Sequence, residues 1–147
     1  MKITQYVTSS PEETKQIAAD LASTFHGGEV IKAIGEMGCG KTAFCQGIGK
    51  AIGVKGIINS PTFNLIKVYQ GEKFTLYHVD CYRLEGVDEE RKDLALDEVM
   101  GDKKIITYIE WPNYGSEDII NYHPVITVGL SYLDDEQRKI VIEDERF

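Results

Sequence analysis

Apolar positions in the first third of the chain predict two strands and two helices. Residues 2–7 look like a first strand, and residues 29–34 form the short apolar run of a buried strand. Between these strands, apolar side chains recur at helical spacing from Thr14 to Phe25. Residues 42–52 predict a second helix, which is expected to stop at Gly53.

The first helix has a well-marked predicted start and end. Ser10 suits the N-cap, Pro11 suits the first helical position, and Glu13 completes a capping box. Gly27 and Gly28 are expected to end the segment. Six side chains are expected to form the buried stripe: Thr14, Ile17, Ala18, Leu21, Ala22 and Phe25.

The second half of the chain is dominated by predicted strands. The strand-like runs are 64–69, 73–79, 104–109, 125–133 and 139–142. Short polar turns separate the first pair and the last pair of these runs, which predicts two hairpins. The acidic stretch 85–100, with Leu94, Leu96 and Val99 as its apolar positions, leans towards a helix. Because hairpins need antiparallel neighbours, we expect a mixed sheet.

The segment between the strand at 29–34 and the helix at 42–52 carries the main chemical signal. Residues 35–42 read Gly-Glu-Met-Gly-Cys-Gly-Lys-Thr, which matches the phosphate-loop pattern G-x-x-x-x-G-K-[ST] without a gap. A strand before this pattern and a helix after it form the setting in which it has meaning. The sequence therefore predicts one α/β domain over residues 1–147, with the three-layer fold of phosphate-loop NTPases and a mixed, partly antiparallel central sheet.

The residue types of this loop suit the binding of a nucleoside triphosphate. Gly35 and Gly40 allow the close approach of backbone N–H groups to phosphate oxygens. Lys41 can reach the β- and γ-phosphates, and the Thr42 hydroxyl can ligate Mg²⁺. The expected nucleotide-binding residues of the loop are Gly35, Glu36, Met37, Gly38, Cys39, Gly40, Lys41 and Thr42.

Two acidic residues are candidates for a Mg²⁺-nucleotide site. Asp80 and Glu110 each follow a strand-like run, and acids at strand ends beside the loop are the usual metal partners. The alternative for each is a carboxylate that faces water. His78 lies two residues before Asp80 and points to the same sheet face. It can orient a phosphate or the attacking water, or it can form a local hydrogen bond.

Two further residues near these acids also allow two interpretations. Arg83 can stabilise charge that develops on the γ-phosphate, or it can form a plain salt bridge in the acidic region. Trp111, directly after Glu110, can pack in the core or contact a partner protein.

Composition limits the range of functions. The net charge of −8 argues against a surface that clamps a nucleic-acid backbone by itself. No apolar run is long enough for a membrane span, and the first residues do not resemble a signal peptide. The three cysteines, Cys39, Cys45 and Cys81, are scattered, which indicates reduced thiols and a cytoplasmic protein.

Four motifs occur in a characteristic order: the loop at 35–42, Ser-Pro-Thr-Phe at 60–63, His-Val-Asp-Cys-Tyr-Arg-Leu at 78–84 and Glu-Trp-Pro at 110–112. Together they resemble the bacterial TsaE family, also called YjeE, over nearly the whole chain. The resemblance implies a small ATPase that acts with the proteins TsaB and TsaD in forming N6-threonylcarbamoyladenosine at position 37 of tRNA. It also implies that tRNA is met only indirectly, through that complex.

The resemblance also implies roles for single residues. Residues 35–42 are expected to bind the ATP phosphates, with Thr42 on Mg²⁺. Thr62 lies in a switch-like segment near the nucleotide, and Asp80 lies in a second such segment that is needed for turnover. Glu110 is similar to the family's acidic residue at the metal, which it meets directly or through water. Family members bind the adenine base near the first strand–helix junction.

The residues leave two other functions open. A small-molecule or nucleoside kinase fits the loop and the size, although no basic lid segment is evident. A GTP-dependent switch needs the guanine-reading pattern Asn-Lys-x-Asp, which the sequence lacks. The sequence therefore favours an ATPase whose catalytic residues are Lys41, Asp80 and Glu110, with ATP and Mg²⁺ as its cofactors.

Overall fold

A seven-stranded mixed sheet forms the centre of the computed structural model, which describes residues 1–59, 65–89 and 96–147. The strands are β1 (Lys2–Thr8), β2 (Val30–Ile34), β3 (Ile66–Gln70), β4 (Thr75–Asp80), β5 (Ile105–Glu110), β6 (Ile126–Tyr132) and β7 (Arg138–Asp144). The α-helices among the described residues are α1 (Pro11–Ala22), α2 (Lys41–Ala51) and α3 (Glu117–Ile120). The α/β class and the mixed sheet predicted from the sequence are both confirmed.

The strand order is β1-β7-β6-β2-β5-β4-β3, which places β2 in the middle of the sheet. β2 runs parallel to β5 on one side and to β6 on the other, and β4 runs parallel to β5. The hairpins β3–β4 and β6–β7 are antiparallel, as the sequence predicts. Because β2, β4 and β5 are parallel, their carboxyl ends meet at one edge of the sheet.

The start of α1 follows the predicted capping pattern with one difference. The Ser10 hydroxyl accepts a hydrogen bond from the Glu13 backbone N–H at 3.2 Å, and Pro11 is the first helical residue. The difference is that the Glu13 carboxylate accepts a hydrogen bond from the Ser9 N–H, at 2.7 Å, whereas a capping box would place it on the N–H of Ser10. The helix ends at Ala22 with Ser23 as its C-cap, so the predicted end at Gly27 and Gly28 is wrong, and Phe25 is buried but lies beyond the helix.

Each face of the sheet has its own apolar cluster. Helices α1 and α2 cover one face, and their packed side chains include Ala18, Phe44 and Ile48. The other face is covered over β4 and β5 by short segments: the 3-10 turns Tyr82–Leu84, Leu96–Glu98 and Pro112–Tyr114, and α3. The third layer therefore consists mainly of turns. No α-helix among the described residues combines the length and apolar character needed to cross a bilayer.

The helix expected over 85–100 does not form in the described parts of that stretch. Glu85 has an extended backbone, with ψ of 126°, and Gly86 adopts a φ of +74°. Both conformations stop a right-handed helix at its proposed start. Leu96 begins a 3-10 turn and buries its side chain there. Residues 90–95, including Leu94, lie outside the described residues, as does residue 64 of the predicted hairpin.

Helices α1 and α2 cross closely at Gly47. A Cβ atom at Gly47 would lie 2.3 Å from the Lys15 carbonyl oxygen and 2.8 Å from the Ala18 Cβ. We therefore expect Gly47→Ala to lower the free energy of unfolding by about 1–3 kcal/mol, because overpacking outweighs the gain in helix propensity. Urea denaturation measures this change. Gly129→Ala is the control, because the atom nearest to a Cβ at Gly129 would be 3.9 Å away. Equal losses of unfolding free energy in both variants would contradict the prediction.

Candidate phosphate-binding site

The loop of residues 35–40 connects the central strand β2 to helix α2, as the sequence predicts. At three glycines of the loop, either a side chain would have no room or the backbone conformation disfavours one. A Cβ at Gly35 would lie 2.5 Å from the Leu130 carbonyl oxygen, and one at Gly38 would lie 2.7 Å from the Tyr132 hydroxyl. Gly40 is the N-cap of α2 and has a φ of +110°. The fold therefore requires glycine at the two pattern positions, Gly35 and Gly40, and also at Gly38, where the pattern allows any residue.

An open cleft of about 630 Å³ lies beside this loop, at the carboxyl ends of β4 and β5. It brings together seven of the site residues predicted from the sequence: Met37, Gly38, Gly40, Lys41, Thr42, Asp80 and Glu110. The remaining lining residues are Ala43, Leu65, Tyr82, Arg83 and Trp111, whereas the predicted loop residues Gly35, Glu36 and Cys39 are not part of the lining. Thr62 and the motif at 60–63 lie outside the described residues, so their predicted role stays a prediction.

The Lys41 side chain is largely buried and turns back onto its own loop. Its ammonium donates hydrogen bonds to the carbonyl oxygens of Gly35 and Glu36, the latter at 3.3 Å. The same Nζ lies 4.3 Å from the centroid of the Trp111 ring. All three partners are neutral. An anionic phosphate oxygen is a stronger acceptor for the same ammonium, so the lysine favours an anion in this cleft.

Asp80 and Glu110 are paired neighbours at the ends of β4 and β5. Glu110 is buried, and Asp80 is half-buried. Burial raises the pKa of Asp80 and the Glu110 carboxylate raises it further, while the Tyr82 backbone N–H, at 2.9 Å from Asp80 Oδ1, opposes that rise. Two neighbouring carboxylates that raise each other's cost of ionisation favour a cation nearby.

The available donors suit Mg²⁺ better than a softer metal. Thr42, Asp80 and Glu110 offer hard oxygen atoms in the lining of the cleft. Within residues 1–59, 65–89 and 96–147, no three or more His, Cys, Asp or Glu side chains gather as a metal cluster. Mg²⁺ commonly takes one or two carboxylates and completes its shell with water and phosphate oxygens. This set of residues therefore fits Mg²⁺ bound together with a polyphosphate.

His78 forms the local hydrogen bond that was one of its two sequence interpretations. Its ring is fully buried, and Nε2 lies 2.5 Å from Glu110 Oε2. It is absent from the cleft lining, whereas Arg83 is part of it. His78 therefore reaches the cleft through Glu110.

Trp111 forms part of the cleft wall and contacts two tyrosines. Its ring stacks on Tyr114 with centroids 5.8 Å apart, and Tyr82 packs at 5.1 Å. Its backbone is left-handed, with φ of 54° and ψ of 50°, which is uncommon for a bulky residue. This conformation turns the chain sharply after Glu110, and the ring lies over Lys41.

Two tyrosines that hold the loop and α2 were missed by the sequence analysis. The buried Tyr108 hydroxyl donates to the Lys41 carbonyl oxygen at 2.7 Å, and the Tyr132 hydroxyl donates to the Met37 carbonyl oxygen at 2.9 Å. The Arg138 guanidinium lies 4.2 Å from the centroid of the Tyr132 ring. The sequence offers no local signal for these contacts, because they join positions 67 and 95 residues apart.

A smaller cavity of about 100 Å³ borders the other side of the loop. Its walls come from the start of α1, the loop itself and the β6–β7 turn. They include Ser10, Pro11, Thr14, Gly38, Cys39, Gly40, Ala43, Glu136 and Arg138. The first strand–helix junction therefore lies beside the loop.

A glycine loop on a central parallel strand, followed by a helix and faced by strand-end carboxylates, defines the class of phosphate-loop α/β proteins. Within this class, residues 8–140 match the family described as "Threonylcarbamoyl adenosine biosynthesis protein TsaE". The chain therefore belongs to the TsaE family.

Individual relatives agree with this assignment. The tRNA threonylcarbamoyladenosine biosynthesis protein TsaE of Rickettsia bellii is 39% identical over 145 residues, covering 96% of this chain and 95% of the relative. The protein of the same name from Bacillus subtilis is 35% identical over 140 residues, covering 95% of this chain and 85% of the relative. The crystal structure of Bacillus subtilis YdiB is similar in fold, with a TM-score of 0.78, 29% identity and coverage of 97% of this chain and 86% of that one.

Proposed function

We propose that this chain binds ATP with Mg²⁺ in the cleft and hydrolyses it as the partner of TsaB and TsaD in forming threonylcarbamoyladenosine at position 37 of tRNA. The observation that carries the proposal is the convergence of Lys41, Asp80 and Glu110 on one cleft, in a chain of the TsaE family. Each of these residues comes from a different element of the fold, and each provides a charge that phosphoryl transfer uses.

The phosphates would bind at the loop and the first turn of α2. Backbone N–H groups at a helix start have no partner within the helix, and the positive end of the helix dipole lies there. Lys41 adds a full positive charge that its present neutral acceptors leave available. These groups stabilise the triphosphate and the charge that develops on it during hydrolysis.

Thr42, Asp80 and Glu110 would hold Mg²⁺. When bound, this ion neutralises charge on the triphosphate oxygens. Asp80 or Glu110 would in addition orient the attacking water by accepting a hydrogen bond from it. Positioning and electrostatic stabilisation are most of what phosphoryl transfer requires.

The nucleobase would lie in the small cavity between the loop and the start of α1. This position agrees with the expectation that family members bind adenine at the first strand–helix junction. Because the sequence lacks the Asn-Lys-x-Asp pattern that reads guanine, we assign the nucleotide as ATP.

The acidic surface supports a role in which other proteins meet the tRNA. A net charge of −8 opposes direct binding of a phosphate backbone, so the tRNA contact is assigned to the TsaB–TsaD complex. The three cysteines are buried free thiols, which fits the cytoplasm.

We expect the purified chain to hydrolyse ATP slowly and the rate to rise at least about tenfold when TsaB and TsaD are added, since partner proteins can complete such sites. Release of labelled phosphate from γ-labelled ATP measures the rate. The control is the same mixture with the Lys41→Ala variant, which should stay at background. A full rate without partners would contradict the proposal, and label transferred to a metabolite would support the kinase alternative.

A further inference from the structure

A line of buried side chains joins the catalytic cleft to the first residue of α2. β4 and β5 pair in parallel, with His78 beside Tyr108 and Asp80 beside Glu110. Because side chains alternate along a strand, Tyr108 and Glu110 point to the same face of the sheet. The line therefore runs between the phosphate loop and the acidic residue at the end of β5.

Three contacts connect the members of this line. Glu110 Oε2 lies 2.5 Å from His78 Nε2, and the His78 ring meets the Tyr108 ring nearly edge-on, with centroids 5.6 Å apart and planes at 71°. The Tyr108 hydroxyl donates to the Lys41 carbonyl oxygen at 2.7 Å. Phe44 of α2 also stacks on Tyr108, with ring centroids 6.4 Å apart and ring planes at 17°.

Burial makes these contacts costly to break. His78 and Tyr108 are both fully buried, and Glu110 is 4% exposed. His78 Nδ1 is buried without a hydrogen-bond partner among the described residues. Within that part of the chain, the ring therefore makes its hydrogen bond through Nε2, to Glu110. A buried polar group that loses its partner pays the full cost of desolvation. The Glu110 carboxylate can therefore turn away only by breaking a bond that water does not replace.

We propose that His78 is a positioning residue for Glu110, and that Tyr108 ties this position to the start of α2. The inference rests on the role of Glu110 in the proposed function. His78 fixes one carboxylate oxygen, which sets the orientation of the acid at the cleft wall. Tyr108 packs on His78 and bonds to the backbone of Lys41, so the distance between the acid and the phosphate loop is set by packed side chains.

A pair of substitutions at His78 tests the role of its N–H group. His78→Gln keeps a side-chain donor near Glu110, and His78→Leu removes it. We expect His78→Leu to lower kcat of the partner-stimulated reaction about 10- to 100-fold and to raise KM by less than about tenfold, as for other residues that orient a ligand carboxylate. We expect His78→Gln to stay within about threefold of the unaltered protein, as a retained hydrogen bond predicts.

Two further measurements separate positioning from a loss of folded protein. Thermal unfolding reports the stability of each variant. Calorimetric titration with a non-hydrolysable ATP analogue, with and without Mg²⁺, reports the gain in affinity that Mg²⁺ provides. Positioning predicts that His78→Leu loses much of this gain while its affinity without Mg²⁺ is kept. Equal effects of His78→Gln and His78→Leu, in step with their stabilities, would overturn the inference.

Tyr108→Phe tests the other end of the line in a variant that keeps the ring and its packing. Only the bond to the Lys41 carbonyl is lost, and we expect kcat to fall about three- to tenfold, the size of effect that one hydrogen bond produces. Tyr6→Phe, on the edge strand β1, is the matched control and should leave kcat unchanged. A Tyr108→Phe variant that behaves like Tyr6→Phe would refute the link to α2.

Glu110→Gln distinguishes failure of this inference from failure of the proposed function. If Glu110→Gln hydrolyses ATP at the original rate, the proposed role of Glu110 is wrong and the positioning role falls with it. If Glu110→Gln is slow while His78→Leu is not, the proposed function stands and the positioning role alone is refuted.

Discussion

Replacement of Lys41 by alanine is expected to weaken ATP binding by about 30-fold or more, because removal of one partner of a buried, hydrogen-bonded charge pair costs about 2–5 kcal/mol. The ammonium is largely buried at the centre of the loop, where its described partners are two carbonyl oxygens and the Trp111 ring. None of these partners competes strongly with a phosphate oxygen. Isothermal titration calorimetry with ATP and Mg²⁺ measures the loss.

Lys50→Ala provides a matched control for this prediction. Lys50 lies in the last turn of the same helix and is exposed, so its removal changes the net charge equally and leaves the loop intact. ATP affinity within about twofold of the original is expected for Lys50→Ala, because an exposed charge far from the site is largely screened. If both lysine variants bound ATP alike, the assignment of Lys41 to the phosphates would be wrong.

The two strand-end acids are expected to act on hydrolysis more than on binding. Glu110→Gln and Asp80→Asn each keep the shape of the side chain and remove its charge. We expect either change to slow partner-stimulated hydrolysis by about 100-fold or more, since an acid that orients water or metal acts mainly in the transition state. ATP affinity is expected to change by less than about tenfold, because the loop and Lys41 retain their contacts.

Single-turnover hydrolysis and calorimetric titration of the same samples separate these effects. The control is Glu143→Gln, an exposed carboxylate on β7 away from the cleft. Loss of ATP binding in Asp80→Asn and Glu110→Gln as large as that in Lys41→Ala would show that the acids and the lysine do not divide their roles as proposed.

The parts of the fold that follow local patterns were predictable from the sequence. Ser10 and Pro11 marked the start of α1, and the short polar turns between strand-like runs marked both hairpins, because capping and turns are decided by neighbours in the chain. Residues 85–89 show where this approach failed. Helix-favouring composition was overridden by the left-handed backbone of Gly86.

The residue types of the candidate site could be predicted from the sequence, but the contacts that hold them in place could not. The loop at 35–42 and the acids Asp80 and Glu110 each have a short sequence signature, and the sheet brings them to one cleft. The contacts of Tyr108 and Tyr132 have none, because a core tyrosine and a hairpin tyrosine look ordinary until the strand register is known. The sequence around Trp111 likewise does not indicate that its ring lies over Lys41.

The position of β2 has a consequence for the synthesis of the protein. β2 is held on both sides by strands from the second half of the chain, β5 and β6. A growing chain that ends before Ile105 contains the glycine loop but lacks the strand that carries Glu110. β2 gains its neighbours only when β5 and β6 have been made, so the glycine loop is held for a nucleotide only in the complete sheet. A nucleotide that binds there draws late folding intermediates towards the complete sheet by mass action. ATP bound as proposed would thus act as a folding ligand that selects complete chains over truncated ones.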